Sequence, residues 1–207
     1  MADRRTRLLD AAIAAFAARG FHGTTTRDIA AAAGMSPAAI YVHHESKEEL
    51  LFQISRAGHE QTLSLLRTAI GGTEFAAPRT GAWLGAEDPA AQLAAAVRAF
   101  ATHHATAHTV ARIVNYELAA LSEPHLREIM QLRRAITREL RALVDRGVAA
   151  GVFDTPDPRM ATTVLLSLGV DLSRWYRDGL ALTPEQVGDF YADIALRIVG
   201  HRSSPHR

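Results

Sequence analysis

His103, His104 and His108 lie close together, with Glu117 a few residues beyond, and two imidazoles four positions apart on one helix face can share a zinc ion. A metal site needs a third and usually a fourth ligand. Glu117 is a conceivable partner, but no HExxH or comparable set occurs, so no metal, cofactor or catalytic residue is expected. The chain has no Cys, which removes thiolate nucleophiles, thiolate zinc sites, iron–sulfur clusters and disulfides together. Ser, His and Asp occur without a GxSxG elbow, a P-loop or a dinucleotide fingerprint. Enzyme chemistry is therefore not expected.

A second set of residues suits phosphate and base edges. Thr25 and Thr26 open one short periodic run and Lys47 opens another, so hydroxyls, free backbone N–H groups and the positive dipole end can face phosphate there. Tyr41 and His43 follow the run between them and can donate to phosphate oxygens. Base reading then falls to Arg27, Ser36, Pro37, Ala38, Ala39 and Val42. Only Arg27 among these suits a bidentate base contact, so thymine methyls and DNA shape are expected to share the specificity. Arg4, Arg5 and Arg7 suit either a minor groove or water.

These residues need helices to position them. The 207 residues include 39 Ala and only 6% aromatics, with 48% hydrophobic and 22% charged, which predicts an all-α protein with a genuine core. Net charge is +1 and argues neither for nor against nucleic acid. No stretch approaches the ~18 apolar residues of a membrane span, the amphipathic start is not a signal peptide, and a cytoplasmic setting without membrane contact is expected.

Leu9, Ile13 and Phe16 recur at helical spacing until Gly20. Thr25 and Asp28 form a capping box for a run barely two turns long that stops at Gly34. Ser36 before Pro37 caps a third helix, and Ser46 with Glu49 caps a longer fourth one toward Ile70. Residues 71 to 89 read as a loop or interrupted helix. Beyond Pro89 the helices lengthen: His108 to Leu121, a long amphipathic run from Pro124 to Gly147, another from Pro158 to Gly179, and a last from Thr183-Pro184 to Gly200. About nine helices result. The two short helices joined through Ala33-Gly34-Met35-Ser36 have the dimensions of a helix-turn-helix.

The string TTTRDIAAAAGMSPAAIYVHHESKEELL resembles the DNA-binding region of the TetR family of bacterial transcriptional repressors, over roughly residues 5 to 52. His44 stands where that family usually carries Phe. The resemblance implies an N-terminal helix-turn-helix domain over 1–47, and over 48–207 a helical ligand-binding and dimerisation domain. It further implies a homodimer on a palindromic double-stranded DNA operator, released by a small-molecule effector. Its last two helices would pair with their copies, and Leu165, Leu168, Leu172, Ile194, Leu196 and Ile198 are the residues expected at that interface.

The stretches ARIVNYELAAL and SLGVDLSRWY are similar to family members that govern fatty-acid or steroid catabolism and respond to acyl-CoA thioesters. An acyl-CoA is thus the preferred effector, ahead of a hydrophobic drug-like compound acting on an efflux or detoxification repressor. Leu66, Val110, Asn115, Tyr116, Met130, Arg133, Asp171, Arg174 and Trp175 are the candidate ligand-binding residues, apolar positions with a few polar anchors. Asp171, set in an apolar stripe, is expected to find a partner or border a cavity. Outside this class, a helical metal-binding or protein-interaction module is the competing reading.

Overall fold

The computed structural model describes residues 4–36, 46–71 and 88–201, and every regular element among them is helical. The helices are α1 (Arg4–Arg19), α2 (Thr26–Ala32), α3 (Lys47–Ile70), α4 (Pro89–Thr106), α5 (His108–Tyr116), α6 (Glu123–Ala149), α7 (Pro158–Trp175) and α8 (Pro184–Ile198), with a 3-10 turn over Leu118–Ala120 between α5 and α6. The third helix expected from Ser36-Pro37, with Pro37, Ala38, Ala39, Tyr41, Val42, His43 and His44, lies outside the described residues, as do most of residues 71 to 89.

Packing divides the chain into two compact units. The first holds residues up to Glu60 together with Thr109–Leu132, so α3 belongs to it only as far as Glu60. Its core gathers Leu8 and Phe16 of α1, Ile29 of α2, Leu50 and Leu51 of α3, Ile113 of α5 and Ile129 of α6, all essentially buried. Each such side chain contributes about 1.5–3 kcal/mol relative to exposure. These spacings are the helical repeats that the sequence shows, turned inward.

The second unit comprises Gln61–His108 and the residues from Arg133 onward. There α4 packs along α8 and α7, and its Ala-rich face brings Ala101 and Ala105 against Leu172, Tyr176 and Val187. Contact is close enough that a Cβ at Gly169 would overlap the Phe100 ring and one at Gly188 would overlap the Thr102 hydroxyl. Arg98 and Asp189 tie α4 to α8 at 2.6 Å.

Two helices end earlier than their patterns predict. The run from His108 stops at Tyr116, because the Glu117 carboxylate and the Ser122 N–H are both drawn into contacts with distant parts of the first unit. The run from Pro158 stops at Trp175: buried Tyr176 takes extended backbone, and its hydroxyl donates to Leu182 O at 3.0 Å.

Candidate nucleic-acid interface

The turn after α2 is set by hydrogen bonds within the chain. Gly34 N–H donates to Ala31 O at 3.1 Å and Met35 N–H to Ala30 O at 2.9 Å, the paired bonds of a Schellman ending, with Gly34 at φ +67. At the other end of α2, Thr25 Oγ1 accepts the Asp28 N–H at 3.2 Å while Asp28 Oδ2 accepts the Thr25 N–H at 2.9 Å, so the expected capping box is complete. The Thr25 hydroxyl donates in turn to Asp28 Oδ2 at 2.7 Å. These two bonds from Thr25, with Arg19 at 3.6 Å, outweigh desolvation and hold the Asp28 carboxyl below its ordinary range.

Upstream of α2 the chain is pinned by a buried threonine. Thr24 Oγ1 lies 2.8 Å from Gly20 O and 3.1 Å from Ala15 O, anchoring the α1–α2 turn to the end of α1. Phe21 packs on Phe16 with centroids 5.5 Å apart.

Lys47, the first residue of α3, points back to this turn. Its Nζ donates to Phe21 O at 2.8 Å and to Thr24 O at 2.9 Å, and lies 4.2 Å from the centroid of the Phe21 ring. Two of the three ammonium protons are therefore engaged inside the head, leaving one for another acceptor. This arrangement was not legible in the sequence, because the carbonyls that hold Lys47 carry no side-chain signature. Ser46 Oγ accepts the Glu49 N–H at 3.2 Å as expected of a cap, while the Glu49 carboxylate accepts Gln53 Nε2 at 2.9 Å.

Thr25, Arg27 and Ser36 are exposed, whereas Thr26 is half-buried. Arg5 is exposed and donates to Gln53 Oε1 at 3.0 Å. The same unit carries a polar cluster that the sequence reading missed: Glu48 Oε1 accepts the Ser122 N–H at 2.7 Å, and His125 Nδ1 lies 2.9 Å away. Burial alone would raise the Glu48 carboxyl, but the Ser122 and His125 contacts override it and leave it below the usual glutamate value. Among the described residues, Glu48, Glu49 and His125 are the group whose ligand atoms converge closely enough to share a cation. His103, His104 and His108 do not form one; His104 Nδ1 is 2.9 Å from Phe100 O and His108 Nδ1 is 3.1 Å from Ala105 O.

The candidate effector residues fall in both units. In the first, Val110 is packed on the core, Asn115 Nδ2 donates to Ala111 O at 2.9 Å, and Tyr116 and Met130 are exposed. In the second, Leu66 is fully buried, Arg133 half-buried and Trp175 exposed. Asp171 is not set in a buried stripe: it is exposed and stands 3.5 Å from Arg174 one turn later. The interface list also needs correction, since Leu165 and Leu172 are buried in their own unit, at 4% and 0% exposure. The apolar side chains of α7 that remain exposed are Met160, Val164, Leu168 and Trp175, with Phe190 on α8.

Among the described residues, α2 with its capping box and Schellman turn is the first half of the helix-turn-helix expected from the sequence. Residues 8–54 match the family model for bacterial regulatory proteins of the tetR family, and residues 86–199 match that for the tetracyclin repressor-like C-terminal domain. The chain belongs to the TetR family, whose members are DNA-binding regulators and not enzymes. It is 30% identical to the HTH-type transcriptional repressor KstR2 of Mycolicibacterium smegmatis over 208 residues, covering 94% of this chain and 90% of that one.

Solved structures agree. A tetR-family regulatory protein from Rhodococcus RHA1 superposes with TM-score 0.85 at 34% identity, over 98% of this chain and 100% of the other. KstR2 of Mycobacterium tuberculosis, a ketosteroid transcriptional regulator, gives 0.82 at 26% identity over 99% and 97%. AibR, solved in complex with isovaleryl coenzyme A and operator DNA, shares the fold with TM-score 0.79 at 21% identity over 97% and 100%.

Proposed function

We propose that this regulator is a repressor that binds a palindromic operator as a homodimer and is released by an acyl-CoA thioester of lipid or steroid catabolism. The observation that carries the operator reading is the α1–α2–α3 head, in which Lys47 fixes the spacing between the α1–α2 turn and the start of α3. In this reading the third Lys47 proton, Thr26, Tyr41 and His43 serve phosphate, while Thr25, whose N–H and hydroxyl both donate to Asp28, holds the end of α2 in place. Arg27, Ser36, Pro37, Ala38, Ala39 and Val42 face the groove, and substitution of Ala39 or Val42 changes which operator is preferred.

The exposed stripe on α7 supports dimerisation. Met160, Val164, Leu168 and Trp175 recur at helical spacing on one face, and Phe190 on α8 is 63% exposed. An apolar face of this kind is satisfied by a second copy, which also doubles the half-sites read. Similarity to KstR2, a ketosteroid transcriptional regulator, supports the steroid part of this reading, and the resemblance of ARIVNYELAAL and SLGVDLSRWY to acyl-CoA-responsive family members supports the thioester. A mobility shift with the DNA upstream of the protein's own gene tests the operator reading. A shifted, salt-sensitive complex of two chains per site is expected; no complex at low salt would overturn it.

A further inference from the structure

The junction between α5 and α6 is gripped at both ends by the helices of the DNA-binding head. At its start the Glu117 carboxylate accepts the Phe21 N–H at 3.3 Å, and Arg112 on α5 donates to Ala17 O at 3.2 Å, closing the end of α1. At its far end Ser122 and His125 hold Glu48, the second residue of α3; His125 Nδ1 lies 2.9 and 3.0 Å from its two carboxylate oxygens. The His125 ring is fixed in that pose. It stacks on Phe52 with centroids 3.8 Å apart and planes 4° from parallel, while Nε2 stands 3.6 Å from Glu49.

The charge and donor pattern says what the cluster is for. Glu48 accepts from Ser122 and His125, and Glu49 Oε1 accepts from Gln53, so the carboxylates are already engaged by N–H donors of the chain. What the contacts do is join two helices: the first turn of α3 is tied to the first turn of α6. Lys47, next to Glu48, carries the tie on to Phe21 and Thr24, so the start of α3 is held from the head on one side and from the α5–α6 junction on the other.

We propose that Glu48 and His125 are positioning residues for operator recognition: their contact fixes the start of α3 within the first unit, and with it the placement of Lys47 and the α1–α2 turn that meet DNA. This rests on the operator-binding reading above. Loss of the contact frees the start of α3 without removing any group that touches DNA, so specific binding falls while non-specific binding does not.

The test uses the full chain and the upstream DNA fragment that the wild type binds. Glu48→Ala, His125→Ala and the double variant are compared with Glu48→Gln, which keeps an acceptor oxygen, and His125→Asn, which keeps a donor near the Nδ1 position. Operator affinity, non-specific affinity and melting temperature are measured for each. Each Ala variant is expected to lose about tenfold in operator affinity, the double variant about the same, and the conservative variants less than about threefold. Should Glu48→Ala fail to fold, His125→Ala carries the comparison, since this partly exposed ring can be removed from the edge of the core. Folded Ala variants with lower melting temperature but wild-type operator affinity would overturn the proposal alone. A wild-type chain that binds no DNA would overturn the operator reading and this proposal with it.

Discussion

Lys47 meets Phe21 twice, donating to its carbonyl at 2.8 Å while its ammonium sits 4.2 Å from the centroid of its ring. One side chain thus satisfies a backbone acceptor of the α1–α2 turn and makes a cation–π contact with the residue that carries it. A methionine cannot do either. Lys47→Met should therefore destabilise the chain by about 1–3 kcal/mol, since an orphaned carbonyl and a lost cation–π contact are each worth about 0.5–2 kcal/mol. Lower operator affinity should accompany it, with a salt slope reduced by at most about one unit because one lysine brings a single charge to phosphate. Urea unfolding and salt-dependent DNA titration check both; a change in slope without a change in stability would mean that the contact to Phe21 is idle.

Gly34 provides a cleaner backbone test. Its φ is +67 and an added Cβ would meet nothing within 4 Å, so Gly34→Ala carries conformational strain without a clash. A loss of about 1–2 kcal/mol in unfolding free energy is expected from the left-handed geometry alone. A neutral result would show that the turn relaxes to another conformation.

Acid should act on the chain in two windows. Burial pushes the His103 imidazole below its ordinary value of 6.5, so the unfolded chain takes up that proton first as pH falls. The stabilisation is complete above about pH 6.5 and is lost as pH drops through that value toward the folded-state one. Asp28 and Glu48, held below 3.8 and 4.5, add a further loss once pH falls below about 4.5, by the same sign. Urea midpoints at pH 7.5 and 5.5 read the first window, and His103→Gln should flatten the difference; an unchanged pH dependence in that variant assigns the loss elsewhere.

The apolar stripe on α7 and Phe190 on α8 make a prediction about assembly. Phe190→Glu places a charge at a position that is 63% exposed in the single chain, so folding should be unaffected. Sedimentation at micromolar concentration should show a dimer for the wild type and a monomer for Phe190→Glu or Met160→Glu, with operator affinity falling alongside. A dimer that survives both substitutions lies on another face.

Local signals were the legible ones. Thr25 and Asp28, Ala30 through Met35, and Thr183 with Pro184 announce helix ends because the partners lie within a few residues, and the cap and turn bonds form where those residues place them. Long-range polar contacts left no such trace. The Glu117 carboxylate accepts the Phe21 N–H, 96 residues away, and the Ser122 N–H donates to Glu48, 74 residues away, so the apolar period from His108 to Leu121 ran past the break. Asp171 shares a helix with an apolar stripe, yet its face turned outward beside Arg174, since periodicity defines faces but not which of two apolar faces is the core. For the same reason Leu165 and Leu172 went to the core, and Met160 and Val164 to the surface.

The most direct test of the regulatory account is titration of the operator-bound protein with a panel of long-chain and polycyclic acyl-CoA thioesters, the matching free acids, and hydrophobic drug-like compounds. A hundredfold fall in operator affinity requires about 2.7 kcal/mol of coupling, and a ligand that supplies it must bind the DNA-free arrangement better. Thioesters are expected to release the DNA and raise the melting temperature of the free protein, with the free acids weaker. Release by the drug-like compounds, with no effect of any thioester on either quantity, would contradict it.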